Sequence, residues 1–278
     1  MSQTSVSAAP PIHPAAVAVK TRGALYQLTE RKALPGAISI IGFLIAWQLS
    51  ITWELPYLSN IPYPKDVWDS LYESVLKSSY WNDWKMSLIR VFVGFTVGQV
   101  VGIPLGLAMG ASKTIKALCF PVFEMLRPIP PIAWIPLSIL FWPTEELSIY
   151  FLTFIGAFFV IVLNVMQGVS SIDLSVKRAA ISLGASRKDI FFKIMIPGSL
   201  PSIVTGMTVG IGVTWNVLIA AEMIAGHGGL GRGTWEAYTN GNLPLILVGM
   251  VSIGFAGYIT SSLVRVIGEK AMPWRRKF

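Results

Sequence analysis

The 278-residue sequence is 53% hydrophobic and only 13% charged, with a mean hydropathy of +0.62, whereas soluble domains carry about 25% charged residues. That apolar excess excludes a disordered chain and a soluble enzyme, and the chain reads as an integral membrane protein. One cysteine, Cys119, and two histidines, His13 and His227, exclude a disulfide framework and a Cys/His zinc cage. The net charge of +8 then bears on membrane sidedness rather than on a nucleic-acid partner.

Residues 1–34 are rich in Ala, Pro, Ser and Thr and end near Arg31-Lys32, which predicts a disordered cytoplasmic tail rather than a signal peptide. The first spanning helix is expected over residues 35–53, acting as an uncleaved anchor. Residues 54–85 follow on the outer side, where Trp68, Tyr72, Trp81 and Trp84 mark an amphipathic stretch lying on the bilayer. A second span runs over 86–110, with Gly94, Gly98, Gly102 and Gly106 repeating every four residues to permit close helix contact. The third, 117–142, is interrupted by Pro128, Pro130 and Pro131, and a fourth occupies 148–169. The fifth and sixth spans are read at 198–225 and 243–268, with Gly206 and Gly210 continuing the small-residue pattern. Long, Gly-rich, helix-periodic runs argue against a membrane barrel, and no soluble domain is left over. The expected class is therefore all-α integral membrane, with six transmembrane helices. The expected divisions are the tail 1–34, the first helix and external segment 35–85, a five-helix core 86–268 and a basic tail 269–278.

With the N-terminus placed in the cytoplasm, segments on that side carry 15 Lys/Arg and 4 acids, against 4 Lys/Arg and 8 acids on the other. The positive-inside rule thus predicts both termini inside.

The 28 residues at 170–197 are too long for a hairpin turn and too apolar for a free loop. Asp173, with Lys177 four residues on, opens a helix; Gly184 breaks it; Ser186 caps a second helix beginning near Arg187. Small residues Ala179, Ala180, Gly184 and Ala185 gather at the bend, and Pro197 and Pro201 mark entry to the fifth span.

Ala179-Ala180, three residues, Gly184, nine residues, then Ile194-x-Ile196-Pro197 resembles the cytoplasmic signature of the membrane subunits (permeases) of ABC-type importers, E-A-A, three residues, G, nine residues, I-x-L-P. Arg178 stands where that family usually has Glu, and Ile196 replaces Leu. The resemblance extends from about Ser87 to the end of the sixth span. Leu126-Arg-Pro-Ile-Pro-Pro-Ile132, Gly184-Ala-Ser-Arg187 and Ala221-Glu-Met223 look like the nitrate, bicarbonate, sulfonate and taurine branch. Phe141-Trp-Pro-Thr-Glu-Glu146 and Gly156-Ala-Phe-Phe159 look like its cyanobacterial-type nitrate and bicarbonate pair.

The resemblance implies a type I ABC-importer permease fold whose cytoplasmic coupling helix docks into an ATPase subunit through Arg178, Ala179, Ala180, Gly184, Ile194, Ile196 and Pro197. It also implies a permease homodimer with two ATP-binding cassette subunits and a substrate-binding protein or lipoprotein in a bacterial inner membrane. The substrate would be a small inorganic oxyanion: nitrate or nitrite first, with bicarbonate or a sulfonate as the alternative. The chain holds no G-x-x-x-x-G-K-[ST] phosphate loop, so ATP and magnesium are expected on the partner ATPases, with no cofactor and no catalysis in this chain.

For the translocation pathway, Glu124 and Arg127 lie near mid-membrane, about 12–16 Å from Lys116 at 1.5 Å rise per residue; their i, i+3 spacing allows mutual neutralisation. After the proline break a half-helix can start near Ile132 with free N–H groups at Ile132, Ala133 and Trp134, an arrangement suited to an anion beside Arg127. A proline kink serving packing alone is the competing reading. Trp215, Asn216 and Glu222 rank second, and Glu222 is expected near the outer end, snorkelling or pairing with Arg232. Gln99 and Asn164 are read as interhelical hydrogen-bond partners. Gly226-His-Gly-Gly-Leu-Gly231 matches a dinucleotide fingerprint by letter only, since it follows a membrane helix, and is expected to be a flexible external turn. An ATP-independent channel or secondary transporter would explain the broken third span equally well but gives loop 170–197 no role. A membrane enzyme finds no nucleophile–base pair.

Overall fold

Every predicted span is helical in the structure, a computed structural model that describes residues 33–53 and 60–274; the expected tail at 1–32 and residues 275–278 of the basic tail lie outside the described residues. No strand occurs among the described residues. The chain divides into two units, Met1–Asn60 and Ile61–Phe278. The first contributes α1 (Ala33–Thr52), predominantly apolar and long enough to cross a bilayer.

The second unit opens with α2 (Pro64–Val75), where Pro64 at the first helical position and Asp66 in the first turn favour initiation. Trp68, Tyr72 and Trp81 are exposed as the aromatic stretch predicts, whereas Trp84 is half-buried and meets Phe255 edge-on. The second span starts earlier than expected: α3 runs Ser78–Ala111, so that Asp83 and Lys85 sit inside the helix rather than before it.

α3 packs along α6 (Glu145–Ser170), the central helix, whose N-terminus is capped by the Thr144 hydroxyl accepting from the Leu147 N–H. Cβ atoms added at Gly94, Gly98, Gly106 and Gly110 would lie 2.5–2.7 Å from the Cβ atoms of Thr153, Ala157, Val165 and Val169 of α6, and one at Gly102 would lie 3.3 Å from Ile161 Cγ2. Only glycine permits that approach. The partner numbers rise together four by four, so α3 and α6 are parallel. The chain must therefore return between them, and the return is made by the bent pair α4 (Lys113–Leu126), a 3₁₀ turn Pro131–Trp134 and α5 (Ile135–Phe141), folded by 85° at the break. That pair makes one crossing.

α9 (Ile196–Ala225) lies antiparallel against α6: a Cβ at Gly206 would meet Asn164, at Gly210 Ile161, and at Gly168 Ser202. α11 (Leu243–Lys270) packs antiparallel on α9, Trp215 Nε1 donating to Thr260 Oγ1 at 3.0 Å, and the short α10 (Leu230–Thr239) bridges them. α11 therefore runs parallel to α6, and its Lys270 end lies on the same side as loop 170–197. The core is built on α6, with Ile149, Leu152, Ile161, Val165 and Val169 fully buried against Val91, Ile211 and Leu218.

Candidate functional site

At one end of α9 lies loop 170–197. Asp173 caps α7 (Leu174–Ser182), its Oδ1 accepting from the Ser175 N–H at 2.8 Å, and this bond with the Ser175 hydroxyl holds the carboxyl below its usual range. The helix ends in a full glycine cap: Ala185 N–H donates to Ala180 O at 3.0 Å and Gly184 N–H to Ile181 O at 2.9 Å, with Gly184 at φ +85°. Ser186 then caps α8 (Arg187–Asp189) in a reciprocal box with Asp189, and Lys193 pairs with Asp189 at 2.7 Å.

A π turn over Ile190–Met195, which includes Ile194, leads into α9 at Ile196. Pro197 has no N–H to give the preceding turn, and the wider turn accommodates that loss. Arg178, Ala179 and Gly184 are exposed, Ala180, Ile194, Ile196 and Pro197 half-buried. Around them Leu174, Val176 and Ile181 are exposed, and Leu183 is 88% exposed. An apolar tip of this size on a charged loop is left uncovered among the described residues.

The opposite end of α9 differs most from expectation. Glu222 neither snorkels nor meets Arg232, which pairs with Glu236 at 2.9 Å. It is 0% exposed and bonded on both oxygens: Oε1 receives Arg90 Nη1 and Ser87 Oγ, each at 2.8 Å, and Oε2 receives Ser87 Oγ at 3.0 Å and the Gly231 N–H at 2.9 Å. Arg90, 1% exposed, also donates from Nη1 to Gly228 O at 2.6 Å, from Nε to Glu146 Oε2 at 3.0 Å and from Nη2 to Glu146 Oε1.

The glycine stretch 226–231 is thus a pinned loop, not a flexible turn. Gly229 N–H donates to Asp83 Oδ1 and Leu230 N–H to Ser87 Oγ, each at 2.9 Å, while exposed His227 stands 2.8 Å from Glu145. Two of its backbone donors, at Gly229 and Gly231, meet carboxylates as they would a phosphate, but the anions are the protein's own. Sequence reasoning missed Arg90. The usable signal was two opposite charges, Arg90 and Glu222, placed a turn inside the same ends of two spans.

Gly229 has φ +108°, and a Cβ there would lie 2.5 Å from the Glu222 carboxyl carbon; Gly241, at φ +69°, has open space. Gly241→Ala is expected to cost about 1 kcal/mol of backbone strain and Gly229→Ala at least twice that, read as shifts in the thermal midpoint of the purified protein. Equal shifts would show that Glu222 does not occupy the loop.

In the broken span, Glu124 and Arg127 are both exposed, and no ion pair joins them among the described residues. The half-helix begins as a 3₁₀ turn, so Ala133 N–H is not free: it donates to Pro130 O at 2.8 Å. Trp134 is half-buried on Phe151, and its indole N–H has no acceptor among the described residues. Trp215 is buried and faces α11; Asn216 beside it is exposed. Asn164 bonds Val160 O of its own helix rather than a neighbour. An apolar groove of about 520 Å³ between α3, α9 and α11, lined by Phe92, Gln99, Met207, Leu263 and Gly268 among others, offers an anion almost nothing to bind.

Residues 102–273 match the family model described as binding-protein-dependent transport system inner membrane component. The chain is 41% identical to a putative ABC transporter permease protein of Methanocaldococcus jannaschii over 69% of its own length and 72% of that protein's. It is 32% identical to the nitrate import permease protein NrtB of Leptolyngbya laminosa, covering 92% of this chain and 93% of that one. A chain of the inward-facing MetNI methionine ABC transporter shares the fold with a TM-score of 0.52 at 22% identity, covering 66% of this chain and 94% of its own. The chain belongs to the family of binding-protein-dependent transport system inner membrane components, multi-pass membrane permeases of the type I ABC-importer fold.

Proposed function

We propose that the chain is the membrane subunit of an ATP-driven importer of a small inorganic oxyanion, with nitrate or nitrite as substrate and bicarbonate or a sulfonate as the alternative. The observation that carries this reading is the capped helix α7, held out by the Gly184 turn with Leu174, Ile181 and Leu183 exposed. It has the form of a rigid apolar knob to be seated in another subunit's groove. The similarity to a nitrate permease along nearly the whole chain supports the substrate.

Two copies would work with two ATPase subunits, which bind ATP and magnesium, and with a substrate-binding protein on the other side of the membrane. The lysines and arginines of loop 170–197 support placing that loop and both termini in the cytoplasm. Arg127, Glu124, Asn216 and the Trp134 indole N–H, without an acceptor among the described residues, are the proposed pathway groups, an exposed guanidinium beside a helix break being suited to a planar oxyanion. Trp215 and Glu222 are assigned to helix packing instead.

Gly184→Trp tests the docking. No atom lies within 4 Å of a Cβ there, so the bulk projects outward, and the cost within the chain is the backbone strain of a tryptophan at φ +85°. The variant is expected in the membrane at near wild-type amount, with copurifying ATPase and ATP-dependent nitrate uptake into proteoliposomes both reduced at least tenfold. Fully coupled uptake by the variant, or uptake by the wild-type chain without any ATPase, would overturn the reading; the latter would favour a channel or secondary transporter.

A further inference from the structure

We propose that Arg90 is a positioning residue of the transport cycle: it locks the far end of α9 to α3 and α6. A displacement imposed at the docking helix is then carried across the membrane instead of dissipating in rotation of α9 alone. This rests on the importer reading above.

The docking helix reaches the opposite side through α9, 30 residues long, or about 45 Å at 1.5 Å per residue. Along its middle α9 contacts α6 through small residues, Gly206 on Asn164 and Gly210 on Ile161. Contacts of that kind hold α9 on α6 by shape and fix no bond direction between the two helices. At the far end the interaction changes in kind.

The guanidinium of Arg90 (α3) presents its Nε/Nη2 edge to Glu146 (α6) and its Nη1 to both Glu222 (α9) and Gly228 O of the following loop. Three helices and one loop thus meet on a single planar group with fixed bond directions. Ser87, one turn earlier on α3, bonds Glu222 and the Leu230 N–H. A rotation of α9 about its own axis would break several of these bonds together, whereas motion of α3, α6 and α9 as one body breaks none.

Stability does not require such a device, since a buried ion pair is often no more stabilising than an apolar pair of equal volume. What it adds is a discrete geometry, the property that transmits movement between distant sites. Of the three charged groups only Glu146 is substantially exposed, at 47% of its side chain, so the cluster can be loosened without stranding a buried charge.

The test uses the whole complex in proteoliposomes, with its ATPase and binding protein, and isotope-labelled nitrate and bicarbonate as probes. Glu146→Gln and Arg90→Lys both remove the paired bonds of the Nε/Nη2 edge. Each is expected to assemble normally and to hydrolyse ATP within twofold of wild type, while anion taken up per ATP falls at least tenfold. Hydrogen exchange at the Gly229, Leu230 and Gly231 amides should rise in the same variants. An unchanged anion-to-ATP ratio, with uptake and hydrolysis falling in step, would overturn the proposal and leave Arg90 a merely structural tie. If Arg90→Lys does not reach the membrane, Glu146→Gln decides. A wild-type complex that takes up neither probe would overturn the importer reading for these anions, an outcome distinguishable from a wild type that couples and variants that do not.

Discussion

Arg90→Leu is expected to lower the stability of the folded chain by about 3–5 kcal/mol, the range for removing one partner of a buried ion pair. The substitution leaves Glu222 fully buried with only the Ser87 hydroxyl, shared between its two oxygens, and the Gly231 N–H as donors, and two neutral donors do not neutralise its charge. It also releases Gly228 O, whose donor within the cluster is Arg90. The decisive measurement is a double-mutant cycle on thermal midpoints in detergent. Arg90→Leu combined with Glu222→Leu should recover more than half of the loss, because the stranded charge is then gone. A double variant as unstable as the two singles added together would show that each side chain serves independent contacts and that no ion pair couples them.

Gly106→Val in the α3–α6 seam should cost about 3 kcal/mol, the upper range for overpacking. A Cβ there would lie 2.7 Å from Val165 Cβ and 2.8 Å from Val162 O. One of those atoms is backbone and the other is fixed to it, so no rotamer change relieves the clash and the helices must part. Gly254→Val in α11 is the control, since nothing lies within 4 Å of its Cβ, and it should shift the thermal midpoint by less than about 0.5 kcal/mol equivalent. Similar losses for both would mean that the seam is not close-packed at Gly106.

The helical class, the positions of the apolar helices and the loop 170–197 were legible because each rests on signals local in sequence: runs of about 20 apolar residues, a Gly184 cap and a Ser186 cap. The spacing of Gly94, Gly98, Gly102 and Gly106 foretold a close contact but not its partner, because nothing in a four-residue repeat says which helix will face it. Arg90 and Glu222 lie 132 positions apart. Their meeting is a product of α3 and α9 both packing on α6, which is why Glu222 was assigned to the nearest cation in sequence, Arg232. The glycine loop was misread for a related reason. Its composition is that of a flexible turn, and it is rigid only because Asp83, Ser87 and Glu222 from other elements use up its N–H groups.

The seam between α3 and α6 also sets what length changes the fold can absorb. Its contacts recur every four residues over Gly94 to Gly110, about 24 Å of helix, and a four-residue repeat overshoots the 3.6-residue turn by about 40° each time. Five such contacts stay buried only if the two helices wrap around each other in a right-handed sense. A single residue inserted within 94–110 or 153–169 would swing everything beyond it by about 100° and face the remaining glycines away from their partners. Divergence in length belongs instead to the connections outside the seam, and these two segments act as the fixed ruler against which the rest of the chain is measured.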